Sequence, residues 1–230
     1  MRFWWVVPAA GAGQRMGAPI AKQYLPLAGR TVFYWTLKHL AEMQGFAGIV
    51  VAIAKDDQLA RQSLPEDIQV YWAEGGAERS ESVERALDIL ADLAAPEDWV
   101  LVHDVARPCV DSHDVQRLID VAVQHSCGAG ALLASPVADT VKREHGGAVV
   151  ETVDRSELWA ALTPQMFRIQ RLREALRVAR SRGVLIRDEA SAVEILGDRP
   201  LLVRGRRDNL KITYPEDMAM VEAIMHHRGV

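Results

Sequence analysis

The sequence predicts an α/β fold built on a doubly wound, mostly parallel sheet. Apolar runs of strand length recur along the chain and alternate with segments of helical period, the pattern of strands covered by helices on both faces. A Gly-rich segment follows the first run directly, where open α/β sheets receive their ligands. The chain has 230 residues, 49% of them hydrophobic. That is enough to bury one sizeable core and lies within the range of a single domain.

In order, the strand-length runs are Phe3–Pro8, Ile49–Ala54, Ile68–Ala73, Trp99–His103 and Gly130–Ala134. Helices are predicted between them at Val32–Met43, Ser82–Leu93 and Asp114–Gln124. In the second helix, Val83, Leu87, Leu90 and Ala94 are spaced to share one face. The alternation breaks after Ser135-Pro136. Two short β-like runs, Thr140–Arg143 and Ala148–Val153, flank Gly146-Gly147 and predict a hairpin projecting from the sheet. Helical pattern resumes over Gln170–Arg182 and Glu189–Leu196, and a last strand, Leu201–Val203, leads to Asn209–Thr213. The closing helix begins at Tyr214-Pro215-Glu216-Asp217, with Pro at its first position and acids in its first turn. No repeat, low-complexity tract or linker interrupts the chain, so residues 1–230 read as one domain with an arm at about 137–160.

The formal net charge of -4 offers no bulk attraction for nucleic acid. Any anion site must be built locally from placed Arg and Lys residues. Cys109 and Cys127 lack CxxC spacing, which suits a reducing compartment. The opening Phe3–Val7 run resembles a secretory leader only superficially, because it is short and runs straight into a Gly-rich, basic loop. No apolar stretch approaches the ~20 residues that cross a bilayer, and a cytoplasmic location is expected. No His/Cys cluster predicts zinc, no GxSxG predicts a hydrolase, and the seven His residues include no HExxH.

Three segments carry chemistry. The first is Pro8-Ala9-Ala10-Gly11-Ala12-Gly13-Gln14-Arg15-Met16, followed by Lys22-Gln23-Tyr24. Its small residues let backbone approach a ligand closely, and successive N–H groups can cradle phosphate oxygens. A dinucleotide fingerprint needs a third Gly where Met16 stands, and a Walker A loop needs Gly-Lys-Ser/Thr; neither is present. Arg15 and Lys22 instead supply cations of the kind that stabilise a triphosphate losing pyrophosphate. The second segment, Gly75-Gly76-Ala77-Glu78-Arg79-Ser80-Glu81-Ser82, reads either as a nucleotide-contacting turn at a helix start or as an ordinary Ser-capped loop. The third is His103-Asp104-Val105-Ala106-Arg107-Pro108, at the end of the fourth run. Asp104 is placed to hold Mg²⁺ on phosphate oxygens and Arg107 to grip a phosphate; equally, the two could simply pair. Taken singly, the later motifs, among them Thr152–Arg155, Leu162–Gln165, Asp188–Ser191 and Asp208–Thr213, are weak.

Taken together they are not. PAAGAGQRM, KQY, GGxxR, VHDxARP, DTVKR with TVDR, LTPQ, DEASA and DNLKIT run in order along almost the whole chain. The series resembles the 2-C-methyl-D-erythritol 4-phosphate cytidylyltransferase family of the non-mevalonate isoprenoid pathway. PAAGxGxRM alone is shared by many sugar nucleotidyltransferases. The resemblance implies a Rossmann-like nucleotidyltransferase sheet with a projecting β-arm for dimerisation, transfer of CMP from CTP to methylerythritol phosphate, Mg²⁺ as cofactor, and a homodimer whose arms cross so that each site borrows residues. It implies that Arg15 and Lys22 stabilise the transition state at the α-phosphate. Arg155 from the partner arm and Lys211 would hold the incoming phosphate. Ala9, Ala10, Gly11, Gly13, Gly76, Arg79, Ser82 and Asp104 would form the nucleotide pocket, with Asp104 as the metal ligand. The polyol phosphate would meet Arg107, Thr140 and, from the partner, Thr163. The chain departs from the family pattern at Ala77, where Asp is frequent, at Val105, where Ala is usual, and at Arg187, where a small polar residue is common. A sister cytidylyltransferase acting on ribitol 5-phosphate, another sugar-phosphate nucleotidyltransferase and a non-catalytic nucleotide sensor share parts of this pattern. The TVDR arm and the DNLKIT tail favour the methylerythritol reading, and a sensor would be expected to lack Lys22 or Lys211.

Overall fold

The computed structural model describes residues 1–11, 20–125 and 128–229. In chain order the elements are β1 (Phe3–Pro8), β2 (Pro26–Leu27), β3 (Arg30–Thr31), α1 (Val32–Glu42), β4 (Phe46–Ile53), α2 (Gln58–Gln62), β5 (Tyr71–Glu74), α3 (Arg79–Leu90), β6 (Trp99–Val102), α4 (Ser112–His125), β7 (Ala131–Pro136), β8 (Val141–His145), β9 (Ala148–Val153), β10 (Trp159–Arg168), α5 (Ile169–Ser181), α6 (Glu189–Glu194), β11 (Leu201–Arg204) and α7 (Glu216–His227). Seven strands form one sheet in the order β11-β7-β10-β6-β1-β4-β5. Pairing is parallel for β1 with β4 and β6, β4 with β5, and β7 with β11. Among the described strands of this sheet, β10 alone runs against its neighbours β6 and β7. The doubly wound, mostly parallel architecture is therefore present.

Alternation along the strands builds the two cores. Trp5 and Val7 of β1 face Phe33, Leu37 and Leu40 of α1 and Leu118 of α4. Trp4 and Val6 point the other way, onto Val83, Leu87 and Leu90 of α3 and Leu172 and Leu176 of α5. A strand buried on both faces shows an unbroken apolar run, which is why β1 was legible residue for residue. Val83, Leu87 and Leu90 of the stripe are wholly buried on α3, Ala94 lies partly buried beyond its end, and a Leu87→Ala cavity there would cost about 2–5 kcal/mol. A smaller cluster of Leu27, Val32, Ala106, Ile212, Val221 and Met225 ties α7 to the segment after β6.

The predicted hairpin is β8 paired antiparallel with β9, outside the main sheet. Its base is closed by Val137 N donating to Leu158 O at 3.0 Å. Gly146 and Gly147 turn it with φ of 61° and 82°, conformations open to glycine. Val149 and Val150 are 64% and 60% exposed on it.

β10 is the principal difference from the sequence reading, which left Trp159–Arg168 without a strand. Pro164 lies inside it and cannot donate to a ladder. The chain accommodates it with a register shift between Ala161 and Gln165. Asn209–Thr213 forms no strand; Ile212 N donating to Ala106 O at 2.9 Å holds it beside the segment after β6. α3 begins three residues before the predicted start, which places Arg79 in its first turn. Among the described residues no helix is long and apolar enough to cross a membrane.

Candidate active site

Because β1, β5 and β6 share a direction, Ala9, Gly75 and His103 all leave the sheet at the same edge. β10 runs the other way, so its early residues reach that edge: Gln165 pairs with Val102, and Thr163 stands beside Asp104. Close packing brings the two Gly-rich segments together. A Cβ on Gly75 would lie 2.3 Å from the Ala10 Cβ, so only glycine permits this approach.

A cavity of about 230 Å³ opens here, lined among others by Ala9, Ala10, Gly11, Lys22, Gly76, Arg79, Ser82, Asp104 and Lys211. These are sequence-predicted site residues from five separated stretches of chain. Gln23 donates to Ala9 O at 2.9 Å and Gly11 O at 3.1 Å, fixing the start of the first loop. Lys22 Nζ donates to Ile212 O at 2.7 Å, which joins that loop to the segment carrying Lys211. Ser82 Oγ accepts from Gly76 N at 3.0 Å and so shapes the second loop instead of pointing free into the cavity. Arg15 and Gly13 lie outside the described residues.

Asp104 is the electrostatic centre. Arg79 Nε donates to its Oδ1 at 3.0 Å, and Lys211 Nζ lies 2.7 Å from its Oδ2. The pairing with Arg107 that the spacing allowed is also present, at 3.5 Å, but without a hydrogen bond from Arg107 Nε. Burial pushes the Asp104 carboxyl up, yet the charges of Arg79, Lys211 and Arg107 outweigh it and hold the group well below the usual carboxylate range. Arg107 is itself buried, which lowers its pKa, and its Nη1 donates to Asn209 O at 2.7 Å. Three cations thus stand against two carboxylates, Asp104 and Glu189. The half-exposed Lys211 can exchange Asp104 for an arriving phosphate oxygen.

Thr163, which the resemblance assigned to the partner's site, is instead buried beside Asp104 of its own chain, because the reversed β10 carries it there, and its hydroxyl is engaged by His103 and by Asp104 N. Thr140 and Arg155 are exposed on the arm and do not line the cavity. Cys109 is buried and its thiol is pushed up to about 11, a poor nucleophile.

The family model described as 2-C-methyl-D-erythritol 4-phosphate cytidylyltransferase matches residues 3–227. The chain belongs to this family. A protein of that name from Vibrio cholerae is 51% identical over 219 residues, covering 94% of this chain and 93% of the relative. A crystal structure described as 4-diphosphocytidyl-2C-methyl-D-erythritol synthase superposes with a TM-score of 0.85 at 38% identity, covering 97% and 98% of the two chains. The family enzyme from Francisella tularensis also gives 0.85, at 32% identity, covering 97% of this chain and all of that one.

Sequence reasoning missed three residues of this cytidylyltransferase site. Glu189 accepts from Arg79 Nη1 and Nη2 at 2.5 and 3.1 Å. It sits in the first turn of α6, where Asp188 and Ser191 form a capping box. Gln165 ties β10 to that turn, donating to Asp188 Oδ2 at 2.9 Å and accepting from Ala190 N at 2.8 Å. His103 bridges Thr163 and the Arg107 carbonyl. LTPQ and DEASA marked the first two, but no local spacing joins positions so far apart. Of the departures, Val105 is packed in the core while lining the cavity, Ala77 N donates to Glu81 Oε2 at 2.8 Å, and Arg187 is exposed.

Proposed function

We propose that this chain transfers the CMP group of CTP to the phosphate of 2-C-methyl-D-erythritol 4-phosphate, releasing pyrophosphate for isoprenoid precursor synthesis. The observation that carries the reading is the convergence of the first loop, Lys22, Arg79, Asp104 and Lys211 on one cavity in a chain of this family. An oxygen of the acceptor monoester attacks the α-phosphorus. The bond to the bridging oxygen breaks and pyrophosphate leaves with its electrons. The nucleophile is already ionised, so no general base is required, and the protein's task is alignment and charge neutralisation. Lys22, with Arg15, offsets charge at the α-phosphate; Lys211 and Arg107 hold the acceptor phosphate.

Mg²⁺ fits this donor set. Asp104 offers one carboxylate, whose oxygens Arg79 and Lys211 also engage, so the shell of such an ion would be mainly phosphate and water, as Mg²⁺ accepts. Asp104 would hold the ion with the donor's phosphates, and the bound ion would neutralise triphosphate charge. The reading extends to a cytoplasmic homodimer in which Arg155 and Thr140, exposed on the arm, act across the interface, while Thr163 serves the site of its own chain. The exposed Val149 and Val150 on the arm are the apolar surface that a second arm would cover. Pyrophosphate release measured over a matrix of CTP, UTP and ATP against methylerythritol phosphate, ribitol 5-phosphate and a sugar 1-phosphate tests the reaction. Turnover confined to CTP with methylerythritol phosphate is expected, and preference for another pair overturns it.

A further inference from the structure

We infer that His103 is a positioning residue for the transfer: one buried imidazole fixes both ends of the turn that carries Asp104 and Arg107. His103 is fully buried and does not line the cavity, so it acts only through its neighbours. Its Nε2 lies 3.0 Å from Arg107 O. A carbonyl can only accept, so Nε2 carries the hydrogen. In the neutral ring Nδ1 then presents a lone pair, and the Thr163 hydroxyl, 3.0 Å away, donates to it. That orientation leaves the Thr163 oxygen to accept from Asp104 N at 3.1 Å. The chain of donors therefore has one direction. Asp104 N–H reaches Thr163, Thr163 O–H reaches the ring, and the ring N–H reaches Arg107.

The ring has little freedom. His103 N donates to Val6 O at 2.9 Å, which ties it to β1, and Trp5 packs edge-on with centroids 6.1 Å apart. Thr163 is held in turn, since Asn209 Nδ2 donates to its carbonyl at 2.7 Å. Asn209 O also accepts from Arg107, so the imidazole closes a loop of bonds that joins β6, β10 and the segment leading to Lys211. Displacement of Asp104 or Arg107 by a fraction of an ångström alters alignment, to which in-line transfer is sensitive.

The two ring nitrogens serve different halves of the site. This rests on the proposed reaction, in which Asp104 belongs to the nucleotide side and Arg107 to the acceptor. An Asn amide reproduces the Nδ1 position and a Gln amide the Nε2 position. His103→Asn therefore keeps the Thr163–Asp104 half and releases Arg107. It is expected to raise KM for the acceptor about tenfold, with kcat and KM for CTP within about twofold. His103→Gln keeps Arg107 and releases Thr163. It is expected to lower kcat/KM for CTP about tenfold, with KM for the acceptor little changed. A residue that only filled the core would shift both variants in the same parameters, and that result, or wild-type constants in both, overturns the inference. Nitrogen-15 spectra of the histidine side chains in the wild-type protein supply an arm independent of activity and of whether the variants fold. A neutral His103 ring protonated on Nε2 is expected, and protonation on Nδ1 at neutral pH overturns the inference. A wild-type enzyme that fails to turn over CTP with the acceptor counts against the proposed reaction alone, and the spectra then decide the role of His103.

Discussion

Arg79 and Glu189 form a two-pronged ion pair, Nη1 to Oε1 at 2.5 Å and Nη2 to Oε2 at 3.1 Å, while Arg79 Nε reaches Asp104. One guanidinium thus spans two carboxylates and has a fixed plane. Burial is the largest influence on Glu189 and lifts its pKa above the usual glutamate value despite Arg79. The two-pronged geometry is that of a carboxylate facing a guanidinium.

Glu189→Gln should release that plane. The amide offers one acceptor, and its NH₂ opposes the guanidinium donors. KM for CTP is expected to rise about tenfold, and stability to fall by about 2–4 kcal/mol as a buried pair is broken. Steady-state kinetics and denaturant unfolding check both, and an unchanged KM for CTP would remove Arg79 orientation from the account.

Lys22→Ala should reduce turnover by on the order of 10²–10⁴-fold, roughly 3–5 kcal/mol of transition-state stabilisation, with the fold retained. The same loss is expected for Arg15→Ala. Circular dichroism and single-turnover rates check this, and a fully active Lys22→Ala protein would contradict the assigned chemistry.

Chelation should stop the reaction. With Asp104 and Glu78 the carboxylates that line the cavity among the described residues, the divalent ion must be held largely by the triphosphate. EDTA is expected to abolish pyrophosphate release, and excess Mg²⁺ to restore it. Undiminished turnover in chelator would exclude a metal requirement.

The shared-site reading makes a complementation prediction. Arg155→Ala and Lys22→Ala proteins, each inactive alone, should regain activity when mixed, because one site of the mixed dimer keeps both residues. Activity is followed alongside subunit exchange by mass spectrometry. Exchange without recovered activity, or an active monomer on sedimentation, counts against crossing arms.

Away from the site, acid stability should depend on Asp98, which accepts from Arg2 N at 2.8 Å, Arg2 Nε at 3.0 Å and Ala95 N at 3.0 Å. Burial raises its pKa, but these donors outweigh it, and the net direction is below the ordinary value of 3.8. Between the folded pKa and 3.8 the unfolded chain binds the proton and the folded one does not, so the contribution is full above about pH 4 and fades as pH falls through the folded pKa. Asp98→Asn should lose about 1–2 kcal/mol at pH 7. It should also show a shallower decline than the wild type between pH 5 and pH 2, measured by urea midpoints.

The sheet's N-terminal half was legible because burial on both faces leaves unbroken apolar runs such as Trp4–Val7. The loops were legible because close backbone approach demands Gly and Ala, as at Ala10 against Gly75. β10 was not. Its first three residues are exposed, its last seven are buried or nearly so, and Pro164 lies inside the buried stretch. Arg79 announced itself as a cation at a helix start, but its partner Glu189 is 110 residues away and could be found only once the helices were placed. His103 stood inside a motif already noted; what it does depends on Thr163, brought beside it by a strand the sequence did not declare.

The reversed strand also orders the events of synthesis. β5, β4, β1 and β6 all lie within the first 102 residues and pair with one another. They can close as a unit while the ribosome is still at work. β7 cannot join them, because its partners are β10 and β11. From the emergence of Val102 to that of Arg168, about 66 residues later, β6 carries a bare edge with Asp104 just beyond its end, an interval on the order of 3–13 s at about 5–20 residues per second. That edge is a template for wrong pairing only in the nascent chain. When β10 slides in, it seals the edge and delivers Thr163 to Asp104 in the same movement.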